Sequence, residues 1–188
     1  MKQAKVISEH EMKRLLSVIA QKRHAARDRF AFMLSYYAGL RVGEIASLNM
    51  NDVFNEDGTA KLQLMLRAEN TKANEARTVF LNERLQKEAT RYYVAANQRP
   101  LSKPLFLSQK NSRFSANTLC QRFKDLYVKA GIDGASSHSG RRWFITQLAH
   151  KGVSAKVVMT LAGHKHLSTT QRYIDVNDEM LKAAVELV

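Results

Sequence analysis

The chain has 188 residues, 45% apolar and 25% charged, with 30 Lys and Arg against 17 Asp and Glu for a net charge of +13. This favours a folded domain with its own core over a disordered chain. No apolar run approaches the ~20 residues of a membrane span, so no membrane partner is expected. The polar N-terminus carries no apolar signal-peptide stretch, and the single Cys120 excludes an intramolecular disulfide or a cysteine zinc site, so a cytoplasmic setting is expected.

Taken in order, Ser8 before Glu9, Glu11 and the apolar series Met12, Leu15, Leu16, Ile19 predicts a capped helix. A second helix is predicted from about Ala25 to Tyr37, with Phe30, Met33, Leu34 and Tyr37 inward and Gly39 as its stop. Val42 to Leu48 reads as a short helix with Arg41 at its mouth. A β-rich stretch then begins at Asn51–Phe54, turns through Asn55–Gly58 and continues in strands at Leu62–Leu66 and Thr78–Leu81. The polar segment between those strands is a hairpin tip carrying Lys72. A helix is expected from about Asn82 to Asn97, then a connection bracketed by Pro100 and Pro104 with an extended piece at Leu105–Leu107. A helix capped by Ser115 should run to about Ala130 with Leu119, Phe123, Leu126 and Tyr127 inward. Further helices are expected from Gly140 to His150 and from Ser154 to Ala162. Ser168 should cap a short one bearing Tyr173, and an amphipathic one should run from Asn177 to Leu187 with Met180, Ala184 and Leu187 on one face. The fold class expected is mainly α with a small antiparallel β-sheet, as a single domain over 1–188.

The charge is unevenly spread. Leu101 to Ile174 holds 12 Lys/Arg and 2 Asp/Glu, a balance of +10, whereas Asp175 to Val188 has a balance of −3. A polyanion, nucleic acid first, is the partner such a basic block suits, although a solvated basic surface has the same composition.

Three polar knots stand out: Gly39-Leu40-Arg41-Val42-Gly43-Glu44, His138-Ser139-Gly140-Arg141-Arg142, and Leu161-Ala162-Gly163-His164 followed by Tyr173. Arg41 and Arg141 are candidates to hold a phosphate, because a guanidinium is always charged and donates two parallel hydrogen bonds to phosphate oxygens. His138 and His164 are candidates for proton exchange near neutral pH. With His150 and His166 nearby they raise a zinc alternative, but they lack the compact ligand spacing of a metalloenzyme helix, and no cofactor or metal is expected. Tyr173 is a candidate nucleophile that cationic neighbours would activate. Lys72 is a candidate general acid, and Glu44 either orients a cation or sits in a helix's first turn. Each of these residues taken alone also fits a structural or surface role, and spacing does not decide between the two.

The four segments together do decide. With Thr71-Lys72-Ala73-Asn74-Glu75-Ala76-Arg77 as the hairpin lysine segment, the knots resemble, in order, the boxes of the tyrosine recombinases, the phage integrase family, and the resemblance runs from about Val6 to Val188. It implies that Arg41 and Arg141 clamp a scissile phosphate, Lys72 protonates the 5′-oxygen, His138 assists proton transfer, His164 hydrogen-bonds the phosphate, and Tyr173 forms a 3′-phosphotyrosyl link without metal or ATP. It implies double-stranded DNA as partner, a homotetramer on that DNA, room for accessory DNA-bending proteins and a place on the nucleoid; the C-terminal segment (176–188) suits exchange between subunits, in trans or folded back in cis, as well as packing as an ordinary terminal helix on its own core. Two positions depart from the pattern: Arg142 stands where the family often has a second histidine, and Gly140 where it is usually apolar. The chain also resembles the small single-domain members that lack an N-terminal core-binding domain. A type IB topoisomerase and a non-catalytic DNA-binding accessory protein are the competing readings.

Overall fold

A computed structural model describes residues 4–71, 75–109, 111–174 and 178–186. Helix α1 (Glu9–Ala20) starts as the sequence predicts. Ser8 Oγ accepts the Glu11 N–H, and the Glu11 carboxylate accepts the Ser8 N–H, a reciprocal cap that satisfies two helix-end donors. Met12, Leu15 and Ile19 are buried.

Helix α2 (Ala25–Ala38) is the centre of the molecule, packed against α1, α3 (Val42–Ser47), α5 (Glu83–Ala95) and α7 (Ser139–His150). The expected apolar stripe is therefore too narrow. Phe32 and Tyr36 are buried along with Phe30, Met33 and Leu34, while Tyr37 is only half-buried. A helix with neighbours on every side buries residues all round. Gly39 ends it at φ +65°, where a Cβ would also lie 2.5 Å from Phe144 Cδ1.

The expected strand at Asn51–Phe54 is instead a short helix, α4 (Met50–Val53). The Asp52 carboxylate accepts the Asn49 N–H at 2.7 Å and so nucleates a helical turn, leaving Phe54 only a single antiparallel bridge to Ala60. Strands β1 (Gln63–Leu66) and β2 (Arg77–Phe80) form the antiparallel hairpin in the register Gln63↔Phe80, with a 3₁₀ turn (Ala68–Asn70) after β1. Leu64, Leu66 and Val79 face the core.

The remaining helices follow the reading closely. Asn82 caps α5 and Ser115 caps α6 (Ala116–Lys129), which buries Leu119, Phe123, Leu126 and Tyr127. Ser154 caps α8 (Ala155–Ala162). Helix α9 (Leu167–Gln171) differs: its N-cap is His166 rather than Ser168. Tyr173 lies beyond its end, where the Tyr173 N–H reaches Thr170 O at 2.9 Å to close a last tight turn. In α10 (Asp178–Val185) Ala184 is exposed, as are Leu181 and Val185; the Met180 side chain and Leu187 lie outside the described residues. Among the described residues no helix is long and apolar enough to cross a membrane. Most buried apolar residues form one cluster around α2, and a second, smaller one (Ile145, Val158, Ala162) joins α7 to α8, with Phe144, Leu148, Val153 and Tyr173 against it.

Gly140 has a packing reason. A Cβ there would stand 3.0 Å from Ser35 Oγ and 3.3 Å from the Tyr36 backbone nitrogen, so the glycine lets α7 sit directly on α2. One residue on, Tyr36 stacks on Trp143 with ring centroids 3.8 Å apart. Gly140→Val should therefore lose about 1–3 kcal/mol of stability in urea denaturation through overpacking. Gly43→Ala, whose Cβ would meet only Ala116 Cβ at 3.9 Å, should be neutral or stabilising by up to about 1 kcal/mol.

Candidate active site

The site is assembled at the C-terminal end of α8. A helix leaves its last carbonyls without intrahelical partners. Here two of them are taken by the chain itself, as Gly163 at φ +60° turns the backbone so that its N–H meets Thr160 O and the His164 N–H meets Met159 O, both at 3.0 Å. The next three are taken by three arginines. Arg77 Nη1 donates to Leu161 O at 2.8 Å, Arg141 Nη2 to Ala162 O at 2.5 Å, and Arg41 Nη2 to Gly163 O at 3.2 Å. The negative end of the helix dipole favours cations in this position.

Each arginine is held from a second side. Arg141 also donates to Gly39 O at 2.6 Å, the carbonyl that ends α2. Arg41 and Arg77 share Glu44, whose Oε1 accepts from Arg41 Nη1 at 2.8 Å and Oε2 from Arg77 Nη2 at 2.9 Å. Glu44 Oε2 also accepts the Arg41 backbone N–H at 2.7 Å, which starts α3. Glu44 is 1% exposed. Burial pushes its carboxyl up, but Arg77, the Arg41 N–H, Arg141 and the Arg41 side chain outweigh that and hold it below its ordinary value. Its two sequence readings are both correct: it sits in the first turn and orients cations.

Among the described residues, three guanidiniums face one carboxylate, an excess of two positive charges in a largely buried site. Burial and the neighbouring Arg41 pull Arg141 down to about 9, with Glu44 opposing, so it stays charged at neutral pH. A pocket of about 230 Å³ opens there, lined by Arg41, Arg77, Gly163 and His164 and walled on the hairpin side by Thr71 and Glu75.

His164 follows the helix end. Its Nδ1 lies 2.9 Å from Thr170 Oγ1, on α9, and its ring stacks on Tyr173 with centroids 5.9 Å apart. Burial, then Arg141, Arg41 and Arg77, lower its pKa to about 4. It is therefore a neutral imidazole at physiological pH; when Thr170 donates to Nδ1, Nε2 carries the ring's one N–H. The half-buried Tyr173 also meets Arg142, whose Cζ is 5.7 Å from its ring centroid. Tyr173 and Arg142 line a second pocket of about 220 Å³ with His138, Thr169, Arg172 and Ala4. His138 is exposed at the N-cap of α7.

Of the residues chosen from sequence, Arg41, Arg141, His164 and Tyr173 thus converge, His138 lines the pocket beside Tyr173, and Lys72 lies outside the described residues. Sequence reasoning missed Arg77, which sits in the quoted hairpin segment but on a strand whose neighbours gave no sign of an inward charge. It also missed Thr170 as the partner of His164. The described residues contain no cluster of three or more His, Cys, Asp and Glu suited to a metal ion.

The phage integrase family profile matches residues 5–180. The chain is 32% identical over 186 residues to tyrosine recombinase XerA of Pyrococcus furiosus, covering 97% of this chain and 61% of that protein. It is 31% identical over 188 residues to tyrosine recombinase XerD of Neisseria meningitidis serogroup B, covering 96% and 62%. It thus spans about three fifths of the length of these relatives. The crystal structure of XerA recombinase superposes with a TM-score of 0.78 at 26% identity, over 100% of this chain and 66% of that one. The Tn1549 transposon integrase in complex with transposon right-end DNA superposes at 0.77 over 99% and 66%, a likeness of fold alone at 16% identity.

Two measurements probe this electrostatic arrangement. In an NMR titration the His164 imidazole should show no transition between about pH 5.5 and 8, because its folded pKa is near 4 against 6.5 unperturbed. Between those two values the unfolded chain takes up a proton that the folded chain refuses, so His164 lowers stability as pH falls through this window and has no effect above it. A midpoint near 6.5 would contradict the site's cationic surplus. Glu44→Gln leaves the buried guanidiniums without their counter-charge and should cost about 3–5 kcal/mol in urea denaturation.

Proposed function

The chain belongs to the phage integrase family, and from that premise we propose that it is the catalytic domain of a site-specific DNA recombinase that cuts and rejoins DNA through a 3′-phosphotyrosyl link. The observation that carries this reading is the convergence of Arg41, Arg77, Arg141, His164 and Tyr173 on the end of one helix. The scissile phosphodiester enters the pocket lined by Arg41, Arg77 and His164, bringing one negative charge to a site with two positive charges in excess. As the Tyr173 oxygen bonds to phosphorus, the pentacoordinate species gains a second negative charge, which the prearranged guanidiniums meet without reorganising. His164, uncharged, donates a hydrogen bond to a phosphate oxygen.

The P–O5′ bond then breaks. Lys72 supplies the proton to the departing 5′-oxygen, a role supported by Thr71 and Glu75, which lie on either side of its segment and line the phosphate pocket. His138 accepts the phenolic proton, supported by its place in the pocket beside Tyr173. The phosphotyrosyl ester conserves the bond energy, so attack by another 5′-hydroxyl reverses the sequence with no step requiring metal or ATP. Double-stranded DNA is the partner, in keeping with the charge of +13. A tetramer on DNA, with the C-terminal helix exchanged between copies, is supported by the exposed Leu181 and Val185 on α10.

The test is a library of nicked duplexes incubated with the protein in EDTA. Wild type should form a covalent adduct on its own target and Tyr173→Phe none. Lys72→Ala should be slower by roughly 10²–10⁴-fold on ordinary DNA, but near wild type when the 5′-bridging oxygen is sulfur, since a thiolate leaves without a proton. Absence of any wild-type adduct, or an adduct that survives in Tyr173→Phe, overturns the proposal.

A further inference from the structure

Adjacent residues on a helix point about 100° apart, and α7 uses this at Arg141 and Arg142. Arg141 turns inward to the end of α8. Arg142, the departure noted in the sequence, turns toward Tyr173 and is half-buried there. Its Nη1 donates to Ala4 O at 2.6 Å. That carbonyl is itself well placed: Lys5 N donates to Gly134 O at 3.3 Å, Ile7 is fully buried in the core, and Ser8 caps α1. The guanidinium is thus suspended between a fixed backbone oxygen and the tyrosine ring.

We propose that Arg142 is a positioning residue for Tyr173: pinned by the Ala4 carbonyl, its guanidinium holds the phenol ring against His164 and stabilises negative charge on the tyrosine as it attacks. The inference rests on the reading of Tyr173 as nucleophile. Two features make the assignment specific. A histidine side chain is shorter than arginine and carries no fork with which to hold Ala4 O and face the ring together. The contact also acts on the nucleophile from the side of the N-terminal segment, whereas Arg41 and Arg77 act from the side of the phosphate pocket. Among the described residues, the titratable and charged groups around Tyr173 are His164 in the stack, Arg142, His138 and Arg172 across the pocket, and Arg141 within electrostatic reach. A cation facing an aromatic ring is attracted to it, and more strongly once the ring carries negative charge.

The experiment is single-turnover adduct formation across pH on a nicked target duplex, with DNA affinity and Tm measured alongside. Arg142→Gln removes the charge while keeping a polar side chain. It should form adduct about tenfold more slowly, with unchanged DNA affinity, and its rate should keep rising to higher pH than in wild type. Arg142→Lys, which keeps the charge, should recover part of the rate and the wild-type pH profile. Arg142→Gln cleaving at the wild-type rate and profile would sink the idea, as would a Lys variant no better than Gln at equal Tm. If wild type itself forms no adduct, the reading of Tyr173 fails first, and the two failures are distinguishable.

Discussion

The interaction on which the site depends is the binding of three guanidiniums to three consecutive carbonyls at the end of α8. Like charges do not gather in a dry site unless something outweighs their repulsion. Here the helix end supplies aligned carbonyl dipoles, Glu44 supplies one full negative charge, and Gly39 O supplies a further acceptor for Arg141. These partners compensate the three cations without neutralising them. The remainder is a preset positive potential, on which the proposed phosphoryl transfer draws.

Several sequence details follow from that constraint. Gly163 is required twice over. It must take φ +60° to close the helix, and a Cβ would sit 2.5 Å from Arg77 Cδ, so any side chain would displace the arginine on Leu161 O. Glu44 must stay three residues after Arg41, because one carboxylate both caps α3 through the Arg41 N–H and balances Arg41 and Arg77. Gly140 must be small so that α7 can approach α2 at Ser35, which brings Arg141 within reach of both Gly39 O and Ala162 O. The small apolar cluster of Ile145, Val158 and Ala162 then holds α7 against α8.

Local chemistry was legible in the sequence wherever it is written in neighbouring residues. The Ser8, Ser115 and Ser154 caps and the Gly39 stop all lie where the pattern placed them, because a cap is decided within one turn. What depends on distant partners was not legible. The all-round burial of α2 follows from having four helical neighbours, and periodicity within α2 cannot count neighbours. At Asn51–Val53 a strand-like composition was overridden by one side-chain cap from Asp52. In the site, motif order picked out Arg41, Arg141, His164 and Tyr173, yet Arg77 stayed hidden because its partners, Glu44 and Leu161 O, lie 33 and 84 residues away.

The two arginines of the second knot show why their juxtaposition matters. Arg141 ties α7 to the ends of α2 and α8, while Arg142 ties Tyr173 to the N-terminal segment, and both leave the same turn of α7. A displacement of that turn would move both contacts together, so the placing of Tyr173 relative to the arginines depends less on any one loop than on the seating of α7. That seating is set by Gly140 against Ser35 and by Trp143 stacked on Tyr36. The glycine and the second arginine, which look like departures when the boxes are read singly, are coupled parts of one solution: the first brings the helix close, and the second uses the closeness to reach Tyr173.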